Sequence, residues 1–406
     1  MFLHSQIGKI WIIALLCLAH RAHSAESVDD RHGNRSSVHP AAARSESEPK
    51  SNSVPSPPIA RFKVAKDGDA LLLPVQFNGR EYLFLLDTYC ACTAFDASLP
   101  LGDPQKQREF TTGSDRVSLP LFKVPAALLG TFNLQDCLST VAAVDLSKIR
   151  EVSGYEIFGL IGMDFLNKHV LRIDFDKGEL LFLEGPDSHL GSQIDLIADP
   201  SGVPAVRVQI GGQRMEPFVL NTGHFGGNNS GAIRAELADE LIEREECRVV
   251  GATYIETVSG LSSKRLIQGR QIVLGNLLIP NPIFHESGAN FLSLAYLSRF
   301  VVTLDFPNRR MYLQEGKAFN RPDRSDASGL HVIRRDDKTI VHSVDNDSPA
   351  TKSGIRSGDA IRKIGEIEAT RASLFDLRRV LSGSGTEVRV VGNRGGTDYD
   401  VLMTLE

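Results

Sequence analysis

The chain has 406 residues, of which 42% are hydrophobic and 23% charged, and its formal net charge is −5. Those values describe a globular protein with room for roughly two to four domains. They exclude a nucleic-acid polyanion as the main partner and select no other.

Lys9 precedes the apolar run 10–19, and small residues follow at Ala22, Ser24 and Ala25. The run is too short to span a bilayer, which takes about 20 residues. It predicts a signal peptide over 1–25, hence export to the periplasm or beyond, and no stable membrane span. Export permits disulfides among Cys90, Cys92, Cys137 and Cys247. Cys90 and Cys92 cannot readily pair with each other in a strand. Buried thiols, one cross-link to Cys137, or a metal or redox role through Cys90 and Cys92 are the readings left. Residues 26–60, with Pro40, Pro49, Pro55, Pro57 and Pro58 and few large aliphatics, predict a disordered linker.

From residue 61 short strands begin. Val75-Gln76-Phe77 alternates, Asn78-Gly79 marks a hairpin, and Tyr82 to Leu86 returns as a buried strand that delivers Asp87 and Thr88 to a turn. Phe158 to Gly162 leads into a helical turn at Met163 to Leu166, and Asp176-Lys177-Gly178 closes another hairpin. The same order recurs. Val206 to Ile210 alternates, and Phe218-Val219-Leu220 runs into Asn221, Thr222 and Gly223. Ile233, Leu237 and Leu241 predict one amphipathic helix. Thr88 and Thr222 lie 134 positions apart, and the endings Arg172-Ile173-Asp174-Phe175 and Thr303-Leu304-Asp305-Phe306 lie 131 apart. Two such spacings predict an internal duplication, with one unit over 61–188 and another over 189–318. A third unit over 326–406 has no counterpart in either. In it, Ser373 is placed to cap a helix carrying Leu374, Leu377 and Leu381.

The duplicated run into Asp-Thr or Asn-Thr resembles the retropepsin/pepsin-like aspartic peptidases, in their bilobal, single-chain bacterial form. Leu160-Ile161-Gly162 matches that family's second motif, and Phe291-Leu292-Ser293 matches it with Ser for Gly. The resemblance implies a mainly β fold of two duplicated retropepsin-like β-barrel lobes followed by a PDZ-like β-barrel/α domain. It places Asp87, Thr88, Asn221 and Thr222 at the catalytic positions, with no cofactor or metal. Asp87 would activate a water for peptide-bond hydrolysis while Asn221 orients it. The segments 111–121 and 254–264 would form flaps over the cleft, with His224 beside it. Two departures favour an alternative, an impaired peptidase that only binds peptides. Tyr89 stands where the first motif has glycine, and the amide of Asn221 cannot exchange a proton near neutral pH. The family's chemistry uses two carboxylates that share a proton.

The third unit resembles a PDZ domain. Gly329, Leu330, His331 and Val332 match the carboxylate-binding loop, with His331 and Val332 departing from its usual Gly and Phe. Ser348-Pro349-Ala350, Gly354-Ile355 and Gly358-Asp359 match the central signature. The resemblance implies capture of peptide C-termini by strand addition after Leu330, with Leu377 and Leu381 walling the groove. A scaffold role, with the groove empty or filled by the protein's own chain, is the other reading. The expected partners are therefore extended polypeptides, as substrate or ligand.

Overall fold

A computed structural model describes residues 16–17 and 57–406, apart from 113–114, 187–189, 200–201, 213 and 258–259. The expected signal peptide and most of the expected linker lie outside the described residues. Leu16–Cys17 are an exception, and their backbone pairs with Thr112 and Thr111.

The protein is mainly β, built on four sheets. The first large sheet runs, with strands given by first residue, 106, 115, 140, 94, 157, 80, 72, 127, 132. The second runs 247, 260, 283, 231, 291, 214, 204, 271, 277. A six-stranded sheet takes strands from both halves, joining Val170–Asp174 antiparallel to Phe300–Asp305. Each sheet is an open succession of strands. The closed barrels expected of the lobes are absent among the described residues.

Local chemistry explains how the centre is placed. Asn78 and Gly79, with φ of 49° and 72°, make the left-handed turn that a two-residue hairpin requires. The returning strand Arg80–Leu86 pairs antiparallel with Leu72–Phe77 and parallel with Ile157–Ile161. Covered on both faces, it reads as a continuous apolar run, as buried parallel strands do. Gly159 is required there, because a Cβ would lie 2.0 Å from the ring of Phe84. In the second half Val219, Leu220 and Asn221 run parallel to Phe291–Ser293 in the same manner.

Two helical expectations fare differently. The turn at Met163–Leu166 is helical. The amphipathic helix spans Ala235–Glu243, so Ile233 belongs to the preceding strand Gly231–Arg234, which pairs with Phe284–Ser287. The third unit is a sheet whose terminal strand is Leu330–Arg335, with helix Leu374–Leu381 beside it. Ser373 caps that helix by accepting the Asp376 N–H. One apolar cluster runs through the first two units, a smaller one within the first unit gathers Leu85, Cys90, Phe110, Leu146 and Leu160, and the third unit has its own, built on Leu330, Val332, Leu374, Leu377 and Leu381 among others.

Candidate functional site

The sequence-predicted site residues lie in two places, the junction between the large sheets and the terminal strand and helix of the third unit. At the junction the strands ending at Leu86 and Asn221 meet through their threonines. The Thr88 N–H donates to Thr222 Oγ1 at 3.0 Å, and the Thr222 N–H donates to Thr88 Oγ1 at 3.1 Å. Each hydroxyl donates across the junction in turn, Thr88 to Leu220 O at 2.6 Å and Thr222 to Leu86 O at 2.9 Å.

Asp87 is fully buried. Its Oδ1 accepts the Tyr89 N–H at 2.9 Å, and its Oδ2 has no hydrogen-bond partner. Burial pushes the carboxyl up to about 7, against the backbone N–H groups of Tyr89, Cys90 and Gly223, which favour the charged form. Asn221 stands at the corresponding turn with its Oδ1 taken by the His224 N–H at 2.9 Å. Gly223 is obligatory, since a Cβ would lie 2.3–2.6 Å from the Asp87 carboxylate atoms. Tyr89 is accommodated because its ring packs on Phe291, with centroids 6.4 Å apart. The His224 ring packs at a tilt against His285, with centroids 5.0 Å apart, and against Phe291, at 4.9 Å. Burial takes His224 down to about 4 and His285 well below its ordinary range, so both rings are neutral at pH 7.

Neighbouring positions are structural. Gly162 allows the Cys92 backbone to approach, at 2.5 Å from where a Cβ would stand. Its counterpart Ser293 caps helix Leu294–Leu297 through Tyr296 N–H and donates to Asn229 O at 2.7 Å. Cys90, Cys92, Cys137 and Cys247 are free. The Cys90 thiol donates to Cys92 O at 3.0 Å, and its interaction with Cys92 together with burial raises it well above the usual thiol range. A thiol so held keeps its proton and is a poor metal ligand or nucleophile.

In the third unit, Leu330 and Val332 point into the core, and Gly329, at φ 65°, turns the chain tightly past Ser348. The Gly329 N–H donates to Asp326 Oδ2 at 2.6 Å and the Leu330 N–H to Ser328 Oγ at 3.0 Å. His331 Nε2 lies 2.7 Å from Asp345 Oδ1. Leu377 and Leu381 are fully buried in the unit's own core. Residues of this helix that meet the first unit include Leu374, Arg378 and Arg379, the last 3.6 Å from Asp67 Oδ2. Leu374 lies against Gly154, and Arg378 donates to Val152 O at 2.6 Å. Nothing local in the sequence marked Arg378 or the helix Ser147–Ser153, since their meeting is long-range.

No family profile matches the chain. A protein of Staphylococcus haemolyticus (strain JCSC1435), described as a probable CtpA-like serine protease, is 25% identical over 150 residues. The match covers 36% of this chain and 30% of that protein. Among solved structures, a photosystem II D1 C-terminal processing protease is 23% identical with a TM-score of 0.20, covering 22% of this chain and 26% of its own. The aspartic proteinase from Irpex lacteus is 13% identical with a TM-score of 0.42, covering 64% of this chain and 99% of its own.

The sequence relative is described as a probable serine protease, which overturns the expectation of a retropepsin-like aspartic peptidase and of hydrolysis by water activated at Asp87. The impaired-peptidase alternative falls with the family it was drawn from. Chemistry points the same way. Asp87 has no second carboxylate at the Asn221 position with which to share a proton, and the Asn221 oxygen is already engaged by a backbone N–H. No helix among the described residues is long and apolar enough to cross a membrane.

Proposed function

We propose that this chain is a polypeptide-handling protein of the hydrolase class, exported from the cell, whose third unit captures the carboxyl end of an extended peptide. The observation that carries this reading is the terminal position of strand Leu330–Arg335. It pairs with Lys338–Val344 on one side only, so its other edge has no strand partner and lies beside helix Leu374–Leu381, as strand addition requires. Gly329 turns the chain into that edge, and Leu330, His331 and Val332 are its first residues, where a terminal carboxylate would arrive. The description of the sequence relative as a serine protease supports placement in proteolytic processing and makes serine-type hydrolysis the activity to seek. The parallel order of strands in the two large sheets supports their reading as duplicated lobes, with domains at 61–188, 189–318 and 326–406.

Fluorescence anisotropy with labelled decapeptides tests the binding reading. A free C-terminal carboxylate is expected to bind about tenfold or more tightly than its amide, the value of a charge-assisted hydrogen bond. Equal binding of the two overturns it. Serine-type hydrolysis predicts labelling of the intact chain by a fluorophosphonate probe together with cleavage of an unfolded protein. Cleavage without labelling removes the serine assignment.

A further inference from the structure

We propose that the helix Ser147–Ser153, with Gly154, is a resident plug in the groove of the third unit. A captured peptide must displace it, so binding is coupled to separation of the third unit from the first. The inference rests on the reading of that groove as a peptide site.

The plug lies where the peptide would lie. One Arg378 guanidinium nitrogen donates both to Val152 O, at 2.6 Å, and to Val332 O on the terminal strand, at 3.2 Å. It therefore ties the plug to the edge at a carbonyl that an added strand would use. Arg335, at the far end of the same strand, donates to Glu151 Oε1 at 3.0 Å. Gly154 ends the plug in a left-handed conformation, with φ of 74°. A Cβ there would stand 3.1 Å from Leu374 Cγ and 3.6 Å from Arg334 Cβ. The plug thus spans the gap between strand and helix, touching both walls. Beyond it, the Tyr155 hydroxyl bonds Asp69, which fastens the exit of the plug within the first unit.

These ties suit release. The plug is held to the third unit largely through polar contacts, and the first-unit cluster that flanks it, with Leu146 and Ile157 inside and Ile149 packed against it, is separate from the cluster of the third unit. A polar contact of this kind resembles a transient interface more than an obligate one. The Arg335–Glu151 pair is half exposed on the arginine side, and such pairs hold weakly. The loop end is also self-satisfied, with Asp326 and Ser328 taking the Gly329 and Leu330 N–H groups. An incoming carboxylate would exchange with Ser328 at Leu330.

Two variants of the full chain test the plug. In Gly154→Cys/Arg334→Cys the Cβ separation of 3.6 Å falls within the span of a disulfide, so oxidation locks the plug and reductant frees it. Peptide mapping assigns the cross-link apart from the native cysteines. Glu151→Lys sets like charges against each other and leaves the backbone alone. Anisotropy with the free-carboxylate decapeptide should show binding lost on oxidation and restored by reductant. Glu151→Lys should bind roughly three- to tenfold more tightly than the native chain. Equal binding by the oxidised and reduced forms overturns the plug while leaving the peptide reading intact. Binding by no form, Glu151→Lys included, overturns the peptide reading and the plug with it.

Discussion

Asp87 holds its proton because it is fully buried, with one oxygen unpaired. A carboxyl raised to about 7 in the folded protein, against about 3.9 when unfolded, binds more protons folded than unfolded between those values. Its favourable effect on stability is therefore complete below about pH 4. It is lost as pH rises through about 7, and ionisation then costs on the order of 4 kcal/mol. Asp87→Asn removes the titration while keeping the shape. Thermal unfolding is expected to show the variant more stable than the native protein at pH 8 and little changed at pH 4. A gain equal at both pH values would show that burial of the charge is not the cause. The same carboxyl fixes its neighbour. Gly223→Ala places a methyl within 2.6 Å of three carboxylate atoms and should cost about 1–3 kcal/mol in denaturant melts, as overpacking does.

At the scale of elements, the two strand ends are joined by a reciprocal set of four hydrogen bonds between Thr88 and Thr222 and the backbone opposite. Thr88→Val keeps the shape but leaves Leu220 O and the Thr222 N–H buried without those partners, a loss of about 2–4 kcal/mol. Thr222→Val should cost a similar amount. The double variant should cost slightly less than the two together, because both changes remove the same hydroxyl–hydroxyl contact, Thr222 Oγ1 to Thr88 Oγ1 at 3.4 Å. Additive losses in urea melts would show the threonines acting independently. The spacing in the sequence made this meeting point readable, since two apolar runs, one ending in Asp-Thr and the other in Asn-Thr 134 positions later, deliver the two threonines that bond each other. Hairpin turns and the Ser373 cap were readable for the same local reason, as their chemistry lies within four residues. The start of the helix at Ala235 was not. Ile233 fits the helical period, but pairing with Glu286 on a distant strand holds it extended. The peptidase chemistry was misread because the order of the motifs speaks for backbone geometry, whereas a proton shared between two carboxylates needs a side chain that Asn221 lacks.

Across the whole molecule, the division of the apolar core decides how the protein comes apart. One cluster runs through both large sheets and the six-stranded sheet, a smaller one lies within the first unit, and the third unit closes its own. The third unit meets the others through contacts such as Arg335–Glu151, Arg378–Val152 O and Asn228–Ser382, which are too few and too polar to merge the two transitions. Calorimetry is expected to show two endotherms. The segment leading to the third unit is anchored to the larger body by Asp323, whose Oδ2 accepts the N–H groups of Ser230 at 2.9 Å and Ile283 at 2.7 Å. Arg299 is buried beside it, pairs with its other oxygen and also donates to Phe319 O. Arg299→Met fills the space but strands the Asp323 charge away from water, a change worth about 3–5 kcal/mol. The larger endotherm should fall by several degrees while the third unit's endotherm stays in place. If both move together, the two cores unfold as one body, and release of the third unit cannot occur without global unfolding.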